Sequence, residues 1–143
     1  MTEISVSLDL EPDELYRRYL KRCNQHRFGE LSEFVADEVQ LNGETITVET
    51  YGKRLHALVE AFPDYSWQLH HLAVDPPWLA VHLLDRGTHH GPFHGVPATG
   101  RTVTTQEFAF YRIAAGKISE VWVTGDDLST FAQLGWTPGE ISQ

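Results

Sequence analysis

The chain has 143 residues, 41% of them hydrophobic and 22% charged, enough for one domain that buries its own core without disulfide or metal staples. Its 20 acidic against 11 basic residues give a formal net charge of −9, which argues against nucleic acid or an anionic membrane as a partner, because phosphate binding needs clustered Lys and Arg. Cys23 is the one cysteine, so neither a disulfide framework nor a cysteine-based metal site is expected.

No signal peptide, lipidation motif or apolar run near the ~18 residues of a membrane span is evident. The chain therefore reads as a cytoplasmic single domain over 1–143, with 1–10 a loose arm and 136–143 a C-terminal tail. Pro12 and Asp13 open a first helix, since Pro suits the first turn and acidic residues there suit the helix dipole. Leu15, Tyr16, Tyr19, Leu20 and Cys23 recur at helical spacing and carry it to about His26. Arg17, Arg18, Lys21 and Arg22 fall mostly on its solvated side. Phe28-Gly29 breaks the pattern, and a short second helix is expected from Glu30 to about Ala36. Val39 to Leu41 reads as a short strand and Asn42-Gly43 as a turn. A third helix follows from Glu49 to Ala61, ended by Pro63-Asp64.

From Tyr65 the pattern turns to β, with strands expected over about 65–75, 78–90, 102–113 and 117–125. Pro76-Pro77 and the segment from Gly87 to Arg101, rich in Gly, Pro and His, separate the first three. Ala115-Gly116 suits a two-residue hairpin turn between the last two. A final helix from Asp127 to Leu134 is stopped by Gly135. The layout is α+β: helices covering one face of a strongly bent antiparallel sheet, which leaves a cone-shaped cavity with an open end.

The last hairpin places the chemistry. With Ala114 opposite Lys117, alternation puts Glu107, Ala109 and Tyr111 on the face that carries Trp122, and Asp126 continues that face; a register slip of one residue reverses the assignment. A carboxylate beside aromatic rings and a second carboxylate is a recurring way to raise a pKa, and a carboxyl tuned upward can move protons near neutral pH. Asp127, three residues before Thr130, suits the cap of the last helix. His89 is a candidate hydrogen-bond partner of substrate or of Asp126. His89 and His90 are adjacent and on a strand face opposite ways, so they do not make a metal site with His94. No phosphate-binding Gly-rich loop, Gly-x-Ser-x-Gly elbow or dinucleotide fingerprint is present.

The run Gly87-Thr88-His89-x-Gly91-x-Phe93-x-Gly95-x-Pro97-x-Thr99-Gly100-Arg101, followed by Tyr111-Arg112, Gly116-Lys117-Ile118, Glu120-x-Trp122-x-x-x-Asp126 and Gln133-Leu134-Gly135, resembles the SnoaL-like polyketide cyclases (ester cyclases) of the nuclear transport factor 2-like superfamily. The resemblance spans roughly Tyr51 to Gly135. Ala98 departs from it where a second proline is common, and His90 where a small polar residue usually follows the first histidine. The resemblance implies a cone of curved sheet and helices, a homodimer formed through the sheet, and intramolecular aldol ring closure of an anthracycline-type precursor without metal or cofactor. It also implies that Asp126 is the acid/base. The expected catalytic groups are thus Asp126 and His89, with Trp122, Glu107, Tyr111, His94 and Tyr16 lining a small hydrophobic or aromatic substrate, and no metal or cofactor. An isomerase, hydroxylase or epoxide hydrolase on the same scaffold, or a ligand-binding module without catalysis, are the alternatives.

Overall fold

The structure is a computed structural model that describes residues 10–136, so the expectations for 1–9 and 137–143 lie outside it. Helix α1, Pro12–Asn24, has Pro at its start, Asp13 and Glu14 in the first turn, and Lys21 and Arg22 in the last. Each suits the local dipole. It buries Leu15, Tyr16, Tyr19, Leu20 and Cys23. It stops short of His26, whose φ of 57° leaves the helical region.

The second expected helix is shorter and tighter: a 3₁₀ segment, Phe28–Glu33. Strand β1, Val35–Leu41, begins inside the span expected to be helical. Val35 is fully buried there beside Ile118, so pairing with a distant strand overrides a local helical pattern. Asn42 and Gly43, with φ of 51° and 90°, turn the chain into β2, Glu44–Thr47. This strand carries a single inward apolar residue, Ile46, too faint a pattern to read from sequence. Helix α2, Val48–Ala61, is capped by Thr47, whose hydroxyl accepts the Thr50 N–H.

The remaining strands fall close to expectation: β3, Ser66–Asp75; β4, Trp78–Thr88; β5, Thr102–Ala114; and β6, Lys117–Gly125, followed by helix α3, Asp127–Gln133. The six strands form one open sheet in the order β2-β1-β6-β5-β4-β3. The sheet is mixed where an antiparallel one was expected, because β1 runs parallel to β6. Irregularities at Val35/Gln40, Leu69/His71 and Arg112/Ile113 supply the bends that curl such a sheet. Its concave side meets α1 and α2 in one apolar core that runs from Leu15 and Tyr16 to Phe131 and Leu134.

One of these irregularities reverses an assignment. Ala115-Gly116 does form the two-residue turn, with φ of 53° and 74°, and Ala114 does face Lys117. The register then slips by one residue at Ser119, so that Arg112 faces Glu120, Tyr111 faces Val121 and Phe110 faces Trp122. A one-residue slip sends every later side chain to the other face. Trp122 therefore lies on the convex side with Phe108 and Phe110, 43%, 52% and 56% exposed. Glu107, Ala109 and Tyr111 point to the concave side.

Candidate active site

Along β4 the inward positions are Leu79, Val81, Leu83, Asp85 and Gly87. Asp85 is a carboxylate in an otherwise apolar row and is 1% exposed. On β5, Glu107 faces Leu83 and Thr105 faces Asp85, which makes Glu107 and Asp85 diagonal neighbours on one face. The two carboxyls are in hydrogen-bond contact. The Tyr65 hydroxyl donates to Asp85 Oδ2 at 2.9 Å. Asp85 Oδ1 is buried without a hydrogen-bond partner, and the Glu107 carboxyl is the titratable group beside it.

Burial raises the proton affinity of Glu107 well above the ordinary carboxylate range, and the Asp85 carboxyl beside it raises it further, while the Trp67 side chain acts the other way. Burial raises Asp85 as well, opposed by its hydrogen bonds with Glu107 and Tyr65. Two acids in one dry site cannot both ionise readily. They titrate as a unit, and burial with the like charge holds the proton on Glu107 well above the ordinary carboxylate range.

Glu107 sits where two chambers meet. The inner one, about 210 Å³, is lined by Tyr16, Tyr19, Tyr51 and Tyr111 among aliphatic residues such as Leu20, Leu55, Leu58 and Val121. Arg54 stands on its rim, paired with Glu44 at 3.1 Å. The Tyr19 and Tyr51 hydroxyls bond each other at 2.7 Å, whereas the Tyr16 hydroxyl is buried without a partner. Burial raises all four phenols, which keeps them protonated and able to donate. Cys23 shares this wall with its thiol pushed up to about 12, so it packs and does not act as a nucleophile. The outer chamber, about 250 Å³, shares Leu58, Glu107 and Val123 with the first and adds Tyr65, Asp85, His94, Thr105 and Asp127. Together the two fall within the ~300–1,000 Å³ of small-molecule clefts.

The structure thus brings Tyr16, Glu107 and Tyr111 to one cavity and His94 to its neighbour. It places three other expected residues elsewhere. Trp122 is on the convex face, its indole N–H donating to Glu120. Asp126 is exposed and caps α3 by accepting the Ser129 N–H at 3.1 Å, the task expected of Asp127, which instead lines the outer chamber. Asp126 is absent from the lining of both chambers, although its neighbours Gly125 and Asp127 line the outer one. His89 lines neither chamber. It is fully buried against Phe62, its Nδ1 accepts the Thr99 N–H at 3.2 Å, and burial lowers its pKa. It therefore holds the 89–101 loop as a neutral ring. Among the described residues, no three His, Cys, Asp or Glu side chains come together as a metal site.

Asp85, Tyr65 and Trp67 escaped the sequence reading. The available signal was Asp85 itself, two residues beyond Leu83 in an alternating apolar strand, where a buried carboxylate needs a partner and a reason.

A curved open sheet packed over helices, with a buried acid pair facing an apolar cavity, is a cone-shaped α+β fold of the nuclear transport factor 2-like type. Residues 13–134 match the family described as SnoaL-like polyketide cyclase, and the chain belongs to that family. Two Streptomyces proteins are similar to it: the aklanonic acid methyl ester cyclase DauD of Streptomyces sp. (strain C5), 28% identical over 85% of this chain and 80% of that protein, and DnrD of Streptomyces peucetius, also described as an aklanonic acid methyl ester cyclase, 28% identical over 85% and 89%. Among solved structures, a SnoaL-like polyketide cyclase from Agrobacterium tumefaciens superposes with a TM-score of 0.81 at 31% identity, covering 89% of this chain and 100% of that one. TsrD from Streptomyces laurentii shares the fold, with a TM-score of 0.80 at 22% identity over 89% and 98%. No helix among the described residues is long and apolar enough to cross a membrane.

Proposed function

We propose that this cyclase closes a ring in a flat, polyketide-like ester by intramolecular aldol condensation, and that Glu107 is its acid/base. The observation that supports this most directly is the placement of Glu107: an inward carboxyl with raised proton affinity, shared by both chambers. The reaction is an isomerisation and redox-neutral, so moving one proton is the chemistry asked of the side chains. Glu107 removes a proton alpha to a carbonyl; the resulting enolate carbon bonds to a second carbonyl carbon of the same molecule; the alkoxide formed takes the proton back. No atom is gained or lost.

The walls supply the rest. Aliphatic side chains and four phenol rings favour a flat, apolar ligand and exclude water. The Tyr16 hydroxyl, buried without a partner, is available to a ligand oxygen, where a positioned donor stabilises developing negative charge. Holding both reacting carbons together contributes ~7–11 kcal/mol towards the barrier. A buried anionic pair with Arg54 alone as a cation on the inner wall disfavours a free carboxylate and suits an esterified one. This agrees with the substrate named for DauD and DnrD.

Incubation with aklanonic acid methyl ester is the test. Ring-closed product of unchanged mass from the wild-type chain, and its loss in Glu107→Gln with binding retained, supports the reading. Full turnover by that variant ends the role given to Glu107.

The convex face supports a second element of the proposal, a homodimer packed sheet to sheet. Phe108, Phe110 and Trp122 expose large rings side by side there, and contiguous apolar patches of this kind mark contact surfaces.

A further inference from the structure

Glu107 alone leaves the chemistry incomplete. At neutral pH it already carries a proton, and a protonated acid takes another only if it passes its own along. One group stands behind it. Asp85 lies diagonally across the β4–β5 pair on the same face, nine-tenths and more buried, in hydrogen-bond contact with Glu107 and fixed from the far side by the Tyr65 hydroxyl at 2.9 Å. The fixed oxygen is Oδ2. Oδ1 is buried with no hydrogen-bond partner, free to meet the neighbouring carboxyl.

We propose that Asp85 is the proton reservoir of the site and Tyr65 its anchor, so that the working base is the Tyr65–Asp85–Glu107 chain and not one residue. This rests on the cyclase reading above for the identity of the substrate, but not for the relay itself. The substrate C–H bond breaks and its proton joins the free carboxyl oxygen of Glu107. In the same step the proton Glu107 already holds crosses to Asp85, and the pair goes from one negative charge to none. After the carbon–carbon bond forms, the alkoxide takes a proton from Glu107 and Asp85 returns the one it stored. The Tyr65 hydroxyl keeps its own proton throughout and acts by orienting Asp85 and stabilising it as the anion. Asp85 and Tyr65 are positioning residues; Glu107 is the one that meets substrate.

The groups facing this pair come from every neighbouring element. Tyr65 and Trp67 approach from the β3 side, Tyr111 from β5, and Tyr16 and Cys23 from α1. Tyr51 on α2 completes the inner wall, and Asp127 on α3 with His94 borders the outer chamber. None of the lining residues brings a lysine, and the one arginine, Arg54, is held by Glu44. The proton equilibrium is therefore set by the two carboxyls and the phenol.

The pair gives two titration steps: gain of a second proton on the acid side and loss of the first on the alkaline side. Carbon-13 NMR of the labelled carboxyl groups follows both without any substrate. In Asp85→Asn a single step remains for Glu107, displaced towards acid by a unit or more relative to the wild-type alkaline step, since a like charge shifts a carboxyl by roughly that much. In Tyr65→Phe the Asp85 anion loses its donor, and the acid-side step moves up while the alkaline one stays. The pH profile of kcat/KM with aklanonic acid methyl ester moves in parallel: the acid limb rises in Y65F, and in D85N, where only ionised Glu107 can take the substrate proton, activity is gained through the single Glu107 step. A wild-type Glu107 that titrates in the ordinary carboxylate range, or limbs that stay put in both variants, overturns the relay. Y65F leaves the carboxyl pair itself intact and gives an answer even if D85N does not fold. The expected NMR titrations without turnover sink the cyclase reading and leave the relay standing; turnover with unmoved limbs does the reverse.

Discussion

Asp85 and Glu107 sit one diagonal step apart on the concave face of β4 and β5, Glu107 opposite Leu83 and Asp85 opposite Thr105. Each strand contributes its carboxyl at a position where its neighbours two residues away are apolar or small, such as Leu83 and Ala109. The cost of drying two acids is offset by sharing one proton and by the Tyr65 donor. An isolated pair in a core would be better replaced by apolar residues for stability alone. Its position at the junction of two chambers gives it work that packing does not explain.

Glu107→Gln is expected to lower kcat/KM by roughly 10²–10⁴-fold, the usual contribution of one placed proton-transfer group. Gln keeps the shape and donates to Asp85 from its amide, so the Tm is expected to hold. Steady-state kinetics together with thermal melts check both halves. A variant that loses activity only because it unfolds shows the loss in both measurements.

The same pair makes stability fall as pH rises. The folded chain binds a proton that the unfolded chain releases near pH ~4.3, because burial and the neighbouring carboxyl raise Glu107 in the native state. The stabilisation is fully present below the unfolded carboxylate pKa and is lost as pH climbs towards the folded one. Through that window the slope is about 1.36 kcal/mol per pH unit for one proton. Urea titrations of wild type from pH 5 upward, with Glu107→Gln as reference, measure it. The wild-type stability falls faster than that of the variant, and parallel lines would contradict a raised Glu107.

Asp126 separates two accounts of the site. As a cap, its side chain accepts the Ser129 N–H, and Asn serves that purpose nearly as well as Asp, whereas Ala costs about 0.5–2 kcal/mol. Asp126→Asn should therefore leave both melting and turnover close to wild type, and Asp126→Ala should lower the Tm without changing the pH profile. Loss of turnover in a folded D126N protein would restore Asp126 as the acid/base and remove Glu107 from that role.

The contrast shows what local sequence carries and what it does not. Strands β3 to β6 were legible because Trp67, Val81, Val103 and Tyr111 alternate with polar neighbours and Pro76-Pro77 and Ala115-Gly116 punctuate them. The concave-side placement of Glu107 and Tyr111 was legible for the same reason, and the buried stripe that holds Tyr16 from helical spacing. Trp122 was assigned to the opposite face by a single extra residue, Ser119, whose hydroxyl bonds the Arg112 carbonyl at 3.2 Å. Nothing in its identity announces a bulge, since the slip is a property of two paired strands. Only the first two residues of β1, Val35 and Ala36, were read as helix, because the partner that draws them into the sheet, β6, lies some 80 residues away in the chain. The Asp85–Glu107 contact is of this kind as well: it exists only once β4 and β5 are in register.

The convex face provides the last test. Phe110 faces Trp122 across β5 and β6, and both rings stand half in water with Phe108 beside them. Covering such rings stabilises by about 25 cal/mol per Å² of apolar surface removed from water, so a second copy meeting this face gains most from these three. A charge at its centre reverses the sign: Phe110→Lys buries two ammonium groups in one symmetric contact, and the nearby Glu120 carboxylate is already engaged by the Trp122 indole. Sedimentation is expected to show a dimer for wild type and a monomer for the variant. Because Phe110 points away from Tyr111 and Glu107, the lone protomer should retain the Glu107 titration. A monomeric wild type at micromolar concentration would refute sheet-to-sheet pairing and leave the cavity chemistry untouched.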